Sequence, residues 1–161
     1  MDGSSGFRAE PGRYHLYVSL ACPWAHRTLI FRKLKHLEDV ISVSVVEPVM
    51  SRQGWAFSDP LPDHLNGFSY LHQVYTKAQP QYSGRVSVPV LWDKQRKTIV
   101  NNESAEIIRM LNSEFDEYAP GDHDYYAANL RQQIDEINAT CTRRRASPAR
   151  SASITSSAIT T

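Results

Sequence analysis

Cysteine is scarce in this chain, with two in 161 residues, Cys22 and Cys141. Two thiols cannot build a disulfide framework, and such usage fits a reducing compartment. A Cys-x-x-Cys pair is also missing, because Ala25 stands three residues after Cys22. That argues against a dithiol–disulfide cycle and leaves a monothiol cycle with an external thiol. No apolar run is long enough for a membrane span, and the opening Met1-Asp2-Gly3-Ser4-Ser5-Gly6 has no apolar signal core. The expected location is therefore cytoplasmic, with no membrane partner. Acidic residues are absent from residues 141–161, which carry Arg143, Arg144, Arg145 and Arg150 and leave −3 for the rest of a chain of net charge +1. The body has no basic stripe, so nucleic acid is set aside, and the Ser/Thr/Ala-rich end reads as a solvated, disordered tail. What remains is ordinary globular composition, 41% hydrophobic and 22% charged.

The most informative residue present is Cys22. The run Tyr14 to Leu20 alternates well enough to be a half-buried strand. Pro23 falls where a first helical position would, and Trp24 to Leu37 reads as a helix with Ile30, Leu34 and Leu37 on one face. A thiol thus stands where a helix leaves a strand. Free amide N–H groups and the helix dipole at such a place favour a thiolate. The plainer reading is a small buried apolar residue, and the local pattern leaves both open.

Ile41 to Val46 reads as a second strand, which completes a strand–helix–strand crossover. A long connection, residues 49–81, is interrupted by Gly54, Pro60, Pro62, Gly67 and Pro80, and such a length implies function or an element of its own. Helical spacing within it runs over Tyr70 to Ala78. Val86 to Asp93 reads as a third strand whose Pro89 marks an edge, a bulge or a cis peptide. Thr98 to Val100 forms a hairpin with it. Asn101 or Asn102 can cap a helix over Glu103 to Phe115, with Ile107, Ile108, Leu111 and Phe115 inward. A last periodic stretch through Tyr126, Leu130, Ile134 and Ile137 runs from near Asp124 to Thr140. This order is that of a thioredoxin-like α/β layer on a four-stranded mixed sheet. The expected domains are residues 12–118, a helix over 123–140, and the tail 141–161.

Four blocks carry a resemblance. They are Gly12 to Arg27, with its Leu20-Ala21-Cys22-Pro23-Trp24, then Gly54-Trp55-Ala56-Phe57, Tyr82 to Asp93, and Ile99 to Met110. Together they resemble the glutathionyl-hydroquinone reductases, the Xi class of glutathione transferases. The resemblance implies a glutathione transferase N-terminal domain and a short fragment of an all-α C-terminal domain. It makes Cys22 the nucleophile, which takes glutathione from a glutathionyl-hydroquinone as a mixed disulfide that a second glutathione resolves. It places Trp55, Arg85, Val86, Ser87, Val88, Pro89, Glu103 and Ser104 in the glutathione site, with Pro89 in cis. Glutathione is then a co-substrate, no metal is implied, and full-length relatives are homodimeric. His26 and Arg27 are read as structural residues facing away.

The same resemblance exposes a departure. In the family, a segment like Leu130 to Asn138 continues into an all-helical domain that covers the hydroquinone and supplies tyrosines. Here it runs into Cys141-Thr142-Arg143-Arg144-Arg145. The expectation is a chain cut short there, by a frameshift, a retained intron or a gene-model error, and lacking the usual leader before residue 12. It would be a poorly soluble protein and a poor reductase. The competing reading is a non-catalytic glutathione-binding or interaction domain.

Overall fold

The Tyr14–Val18 run forms the centre of the sheet because every one of its side chains finds cover. In the computed structural model, which describes residues 6–121 and 123–143, the elements follow the predicted order. They are β1 (Tyr14–Val18), α1 (Pro23–Leu34), β2 (Ile41–Val45), α2 (His72–Ala78), β3 (Val90–Asp93), β4 (Thr98–Asn101), α3 (Ser104–Ser113) and α4 (Arg131–Arg143). A 3-10 turn, Asp116–Tyr118, follows α3. The sheet order is β2-β1-β3-β4. β1 runs parallel to β2, Leu16 opposite Val43, and antiparallel to β3, Leu16 opposite Leu91. β3 and β4 form the hairpin, with an irregularity between Leu91 and Trp92.

Two expectations about burial change. β1 is not half-buried, because both its faces are covered. Tyr14 meets the Phe115 ring edge-on at 5.7 Å, whereas Tyr17, on the opposite face, meets Phe57 of the long connection. His15 is therefore a core residue, set between the hydroxyls of Ser42 and Ser44 at 2.7 and 2.9 Å. Burial pushes its pKa down to about 4, so the ring is neutral. In α1 the inward positions are Ala25 and Thr28, and Ile30 and Leu34 are exposed. The helix ends at Leu34, His36 takes a positive φ of 53°, and Leu37 reaches the core from beyond that turn. Small residues inside let α1 lie close to α3.

The connection before α2 is organised by Asp63. Its buried carboxylate accepts the N–H groups of Leu65, Asn66 and Phe68 and the Tyr17 hydroxyl. The β3–β4 turn is held likewise by Asp93, which accepts from Gln95 and Arg96 and pairs with the buried Arg13 at 2.5 Å. α3 buries Ile107 and Leu111, with Phe115 just past its end, as the spacing predicts, and leaves Ile108 half-buried.

The final helix begins at Arg131 rather than near Asp124. Asn112 accepts the Tyr125 N–H and Asp124 accepts that of Tyr126, which holds this stretch as turns. The helix runs through Cys141 to Arg143, past the expected stop at Thr140. Lys35 ties this region to α1, its buried amine donating to Asp116 at 2.6 Å and to the His123 carbonyl at 2.9 Å. The remainder of the expected tail, residues 144–161, lies outside the described residues.

Candidate active site

Cys22 is the N-cap of α1, in extended backbone, with Pro23 opening the helix. Its carbonyl accepts the His26 N–H at 2.9 Å, the first bond of the helix. The side chain makes no capping bond. Instead the half-buried sulfur faces the Val88 carbonyl at 3.8 Å. Strand–turn–helix geometry thus brings the thiol from one end of β1 against the segment that enters β3.

That segment departs from the expected strand. Only Val90–Asp93 joins the ladder, and residues 86–89 approach it outside the sheet. The Val88–Pro89 peptide is cis, one of the three alternatives that a proline in this run allows. Val88 and Pro89 are buried, Val86 and Ser87 half-buried, and Arg85 exposed. The backbone before Val88 is held from below. The buried Tyr75 hydroxyl donates to the Ser87 carbonyl at 2.9 Å and accepts the Ser87 N–H at 3.3 Å. Tyr82 donates to the Arg85 carbonyl at 2.7 Å.

Glu103 is the N-cap of α3, its carboxylate accepting the Ala105 N–H at 3.3 Å. Asn101 supports it by accepting the Glu103 N–H at 2.6 Å. Ser104 is buried. The start of α3 therefore presents an acid, a hydroxyl and helix-terminal N–H groups together, a set able to take an ammonium on one side and a carboxylate on the other.

Arg27 corrects the sequence reading. It does not face away. From the second turn of α1 it donates to the Ser104 hydroxyl through Nε at 3.0 Å and Nη2 at 2.6 Å, and it stands 3.7 Å from the Glu103 carboxylate. Its guanidinium lies over the Trp24 ring at 4.9 Å. Half-burial lowers its pKa and the Glu103 charge partly offsets that. Five positions after Cys22, it belongs to the same helix but reaches across to α3, and only the α1–α3 packing could reveal this. His26 is exposed. Trp55 belongs to the long connection, half-buried against the core, with its carbonyl accepting the Leu71 N–H at 2.9 Å. Among the described residues, no group of three or more His, Cys, Asp or Glu could hold a metal ion. No described helix is long and apolar enough to cross a membrane.

Residues 21–114 match the glutathione S-transferase, N-terminal domain family. Among curated proteins the chain is 59% identical over 138 residues to the glutathionyl-hydroquinone reductase PcpF of Sphingobium chlorophenolicum, covering 84% of this chain and 44% of that protein. It is 60% identical over 140 residues to the glutathionyl-hydroquinone reductase YqjG of Escherichia coli, covering 84% and 43%. The chain thus spans less than half the length of these relatives. The glutathione-bound structure of the Escherichia coli protein superposes with a TM-score of 0.83 at 58% identity, covering 86% of this chain and 46% of that one. A thiol at a helix start, a segment with a cis proline and an acid–hydroxyl pair at a second helix start are arranged here on a thioredoxin-like sheet. The chain belongs to the glutathione S-transferase family through its N-terminal domain, and within that family it is similar to the glutathionyl-hydroquinone reductases of the Xi class.

Proposed function

We propose that this chain binds glutathione as co-substrate and uses Cys22 for glutathione-dependent reduction of glutathionyl-hydroquinones. The observation that carries the reading is the convergence of the Cys22 sulfur on the Val88 carbonyl while Arg27 of the same helix reaches Ser104 and Glu103. Val88, next to Pro89, would pair with the tripeptide backbone, Glu103 would take the γ-glutamyl amine, and Ser104 with the α3 N–H groups would take its carboxylate. Trp55, Arg85, Val86 and Ser87 complete the proposed site. The thiolate attacks the glutathionyl sulfur, the carbon–sulfur bond breaks, and the hydroquinone carbon picks up a proton. The resulting Cys22–glutathione disulfide is then attacked by a second glutathione thiolate, which leaves glutathione disulfide and restores Cys22. The reading places the glutathione-binding domain at residues 12–118, takes the final helix as the first of an all-α domain, sets the chemistry in the reducing cytoplasm, and makes full-length relatives homodimers.

The test supplies a glutathionyl-hydroquinone and glutathione and follows glutathione disulfide, with intact-mass and peptide mapping of trapped enzyme. The expected adduct is one glutathione on Cys22, and Cys22→Ser should abolish both adduct and turnover. An adduct confined to Cys141 would overturn the assignment. In calorimetry, Glu103→Ala should weaken glutathione by about 1–3 kcal/mol, the cost of stranding a charged partner. Unchanged affinity would remove Glu103 from the site.

A further inference from the structure

We infer that Tyr75 and Asn102 form a positioning brace that sets the Val88 edge in register with the start of α3. The inference rests on the glutathione-binding reading above and adds two residues to it that would touch no ligand.

The Tyr75 side chain is fully buried, yet its hydroxyl is saturated with polar contacts. It donates to the Ser87 carbonyl at 2.9 Å, accepts the Ser87 N–H at 3.3 Å, and accepts Asn102 Nδ2 at 3.1 Å. One phenol oxygen therefore fixes both backbone polar groups of the residue that precedes Val88. Ser87 lies outside the ladder, so no neighbouring strand would otherwise define its orientation. Asn102 adds a second contact from the same amide nitrogen, to Ser87 Oγ at 3.4 Å.

Asn102 is also the residue before Glu103, in the link between β4 and α3. A single amide thus connects the two backbone segments that the glutathione reading needs at a fixed separation. Its oxygen, though buried, has no hydrogen-bond partner among the described residues. A buried acceptor without a partner is costly, and packing alone would not call for an amide here. The N–H donors toward Tyr75 and Ser87 account for it.

The approach to the edge is shaped by the same cluster. The Tyr82 ring packs against Tyr75 with centroids 5.0 Å apart, and its hydroxyl holds the Arg85 carbonyl. A Cβ at Gly84 would stand 2.6 Å from that hydroxyl, so a larger residue there would have to push the Tyr82 ring out of its place. Residues 82–88 are therefore laid down on a tyrosine pair whose inner member is fixed by Asn102.

The experiment is calorimetric titration of the chain with reduced glutathione, well below the thermal transition, for the parent, Tyr75→Phe, Asn102→Ala, the double variant and Glu103→Ala. Amide hydrogen exchange and thermal unfolding accompany each. Tyr75→Phe and Asn102→Ala should each weaken glutathione by about 5- to 30-fold, as loss of a buried hydrogen bond predicts. Exchange should quicken at Ser87 and Val88 and stay unchanged in β1. The double variant should lose clearly less than the sum of the two single losses, because the shorter of the two Asn102 contacts runs through the Tyr75 hydroxyl; independent structural damage would add in full. If both singles bind within about 2-fold of a parent that does bind glutathione and does lose affinity with Glu103→Ala, the brace is wrong and the site reading stands. If the parent fails to bind, or Glu103→Ala changes nothing, the site reading fails and the brace with it. If a variant is too unstable to titrate, exchange in the other decides, and unaltered protection at Ser87 counts against the brace.

Discussion

At the scale of single residues, the informative cases are those whose chemistry disagrees with their surroundings. His15 is a polar residue in the central strand, buried between two hydroxyls and held neutral with a pKa of about 4. In the unfolded chain a histidine titrates near its ordinary value of about 6.5. The unfolded state then binds the extra proton first, so the contribution of His15 to stability is complete above about pH 6.5 and is lost as pH falls toward 4. The loss should approach about 3 kcal/mol. Urea unfolding at stepped pH should show this limb in the parent and a flatter one in His15→Gln, and identical slopes would refute it. That Cys22, Glu103 and Ser104 stand at helix starts was legible in the sequence, where proline, asparagine and spacing announce those starts, whereas the glutathione roles proposed for Glu103 and Ser104 came from the family resemblance alone. The place of Arg27 was not legible, because its partners lie 76 and 77 residues away and depend on how two helices cross.

At the scale of elements, strand and helix order followed from periodicity, and the errors in β1 and α1 came from cover rather than from propensity. Alternation in β1 suggested one wet face, but alternation reports only which residues share a face. The long connection closes over the second face because Asp63 gathers its backbone N–H groups and the Tyr17 hydroxyl. In α1 the apolar positions Ile30 and Leu34 looked inward by spacing, yet Ala25 and Thr28 take that role. The Val86 to Asp93 run was shortened because Pro89 offers no N–H to a ladder. The β3–β4 hairpin depends on a carboxylate that composition cannot single out. Asp93 is fully buried, pairs with Arg13 and caps its own turn. Asp93→Ala leaves the buried Arg13 guanidinium with Glu10 and the Gly6 carbonyl as hydrogen-bond partners and removes the turn's acceptor, and it should cost up to about 3–5 kcal/mol. Denaturant unfolding measures this directly, and a loss under about 1 kcal/mol would mean that the pair is solvated.

At the scale of the whole molecule, Ile30 and Leu34 stand one helical turn apart on the outer side of α1, 45% and 41% exposed, and on α4 Ile137 is 65% exposed. The exposed apolar pair on α1 favours association. Light scattering of the parent against Ile30→Lys/Leu34→Lys should show less self-association in the variant, and equal scattering would place the sticky surface elsewhere. The attachment of the C-terminal segment offers a different handle. The Lys35 side chain is 2% exposed and Lys33, two residues before it, is 78% exposed. The Lys35 amine is sequestered by Asp116 and the backbone at His123, so an acylating reagent can reach it only when that segment lifts away. Brief acetylation followed by mass spectrometry should then mark Lys33 at once and Lys35 at the rate of local opening. The ratio of the two labels becomes an internal clock for undocking, readable in any mixture without a tag or a dye.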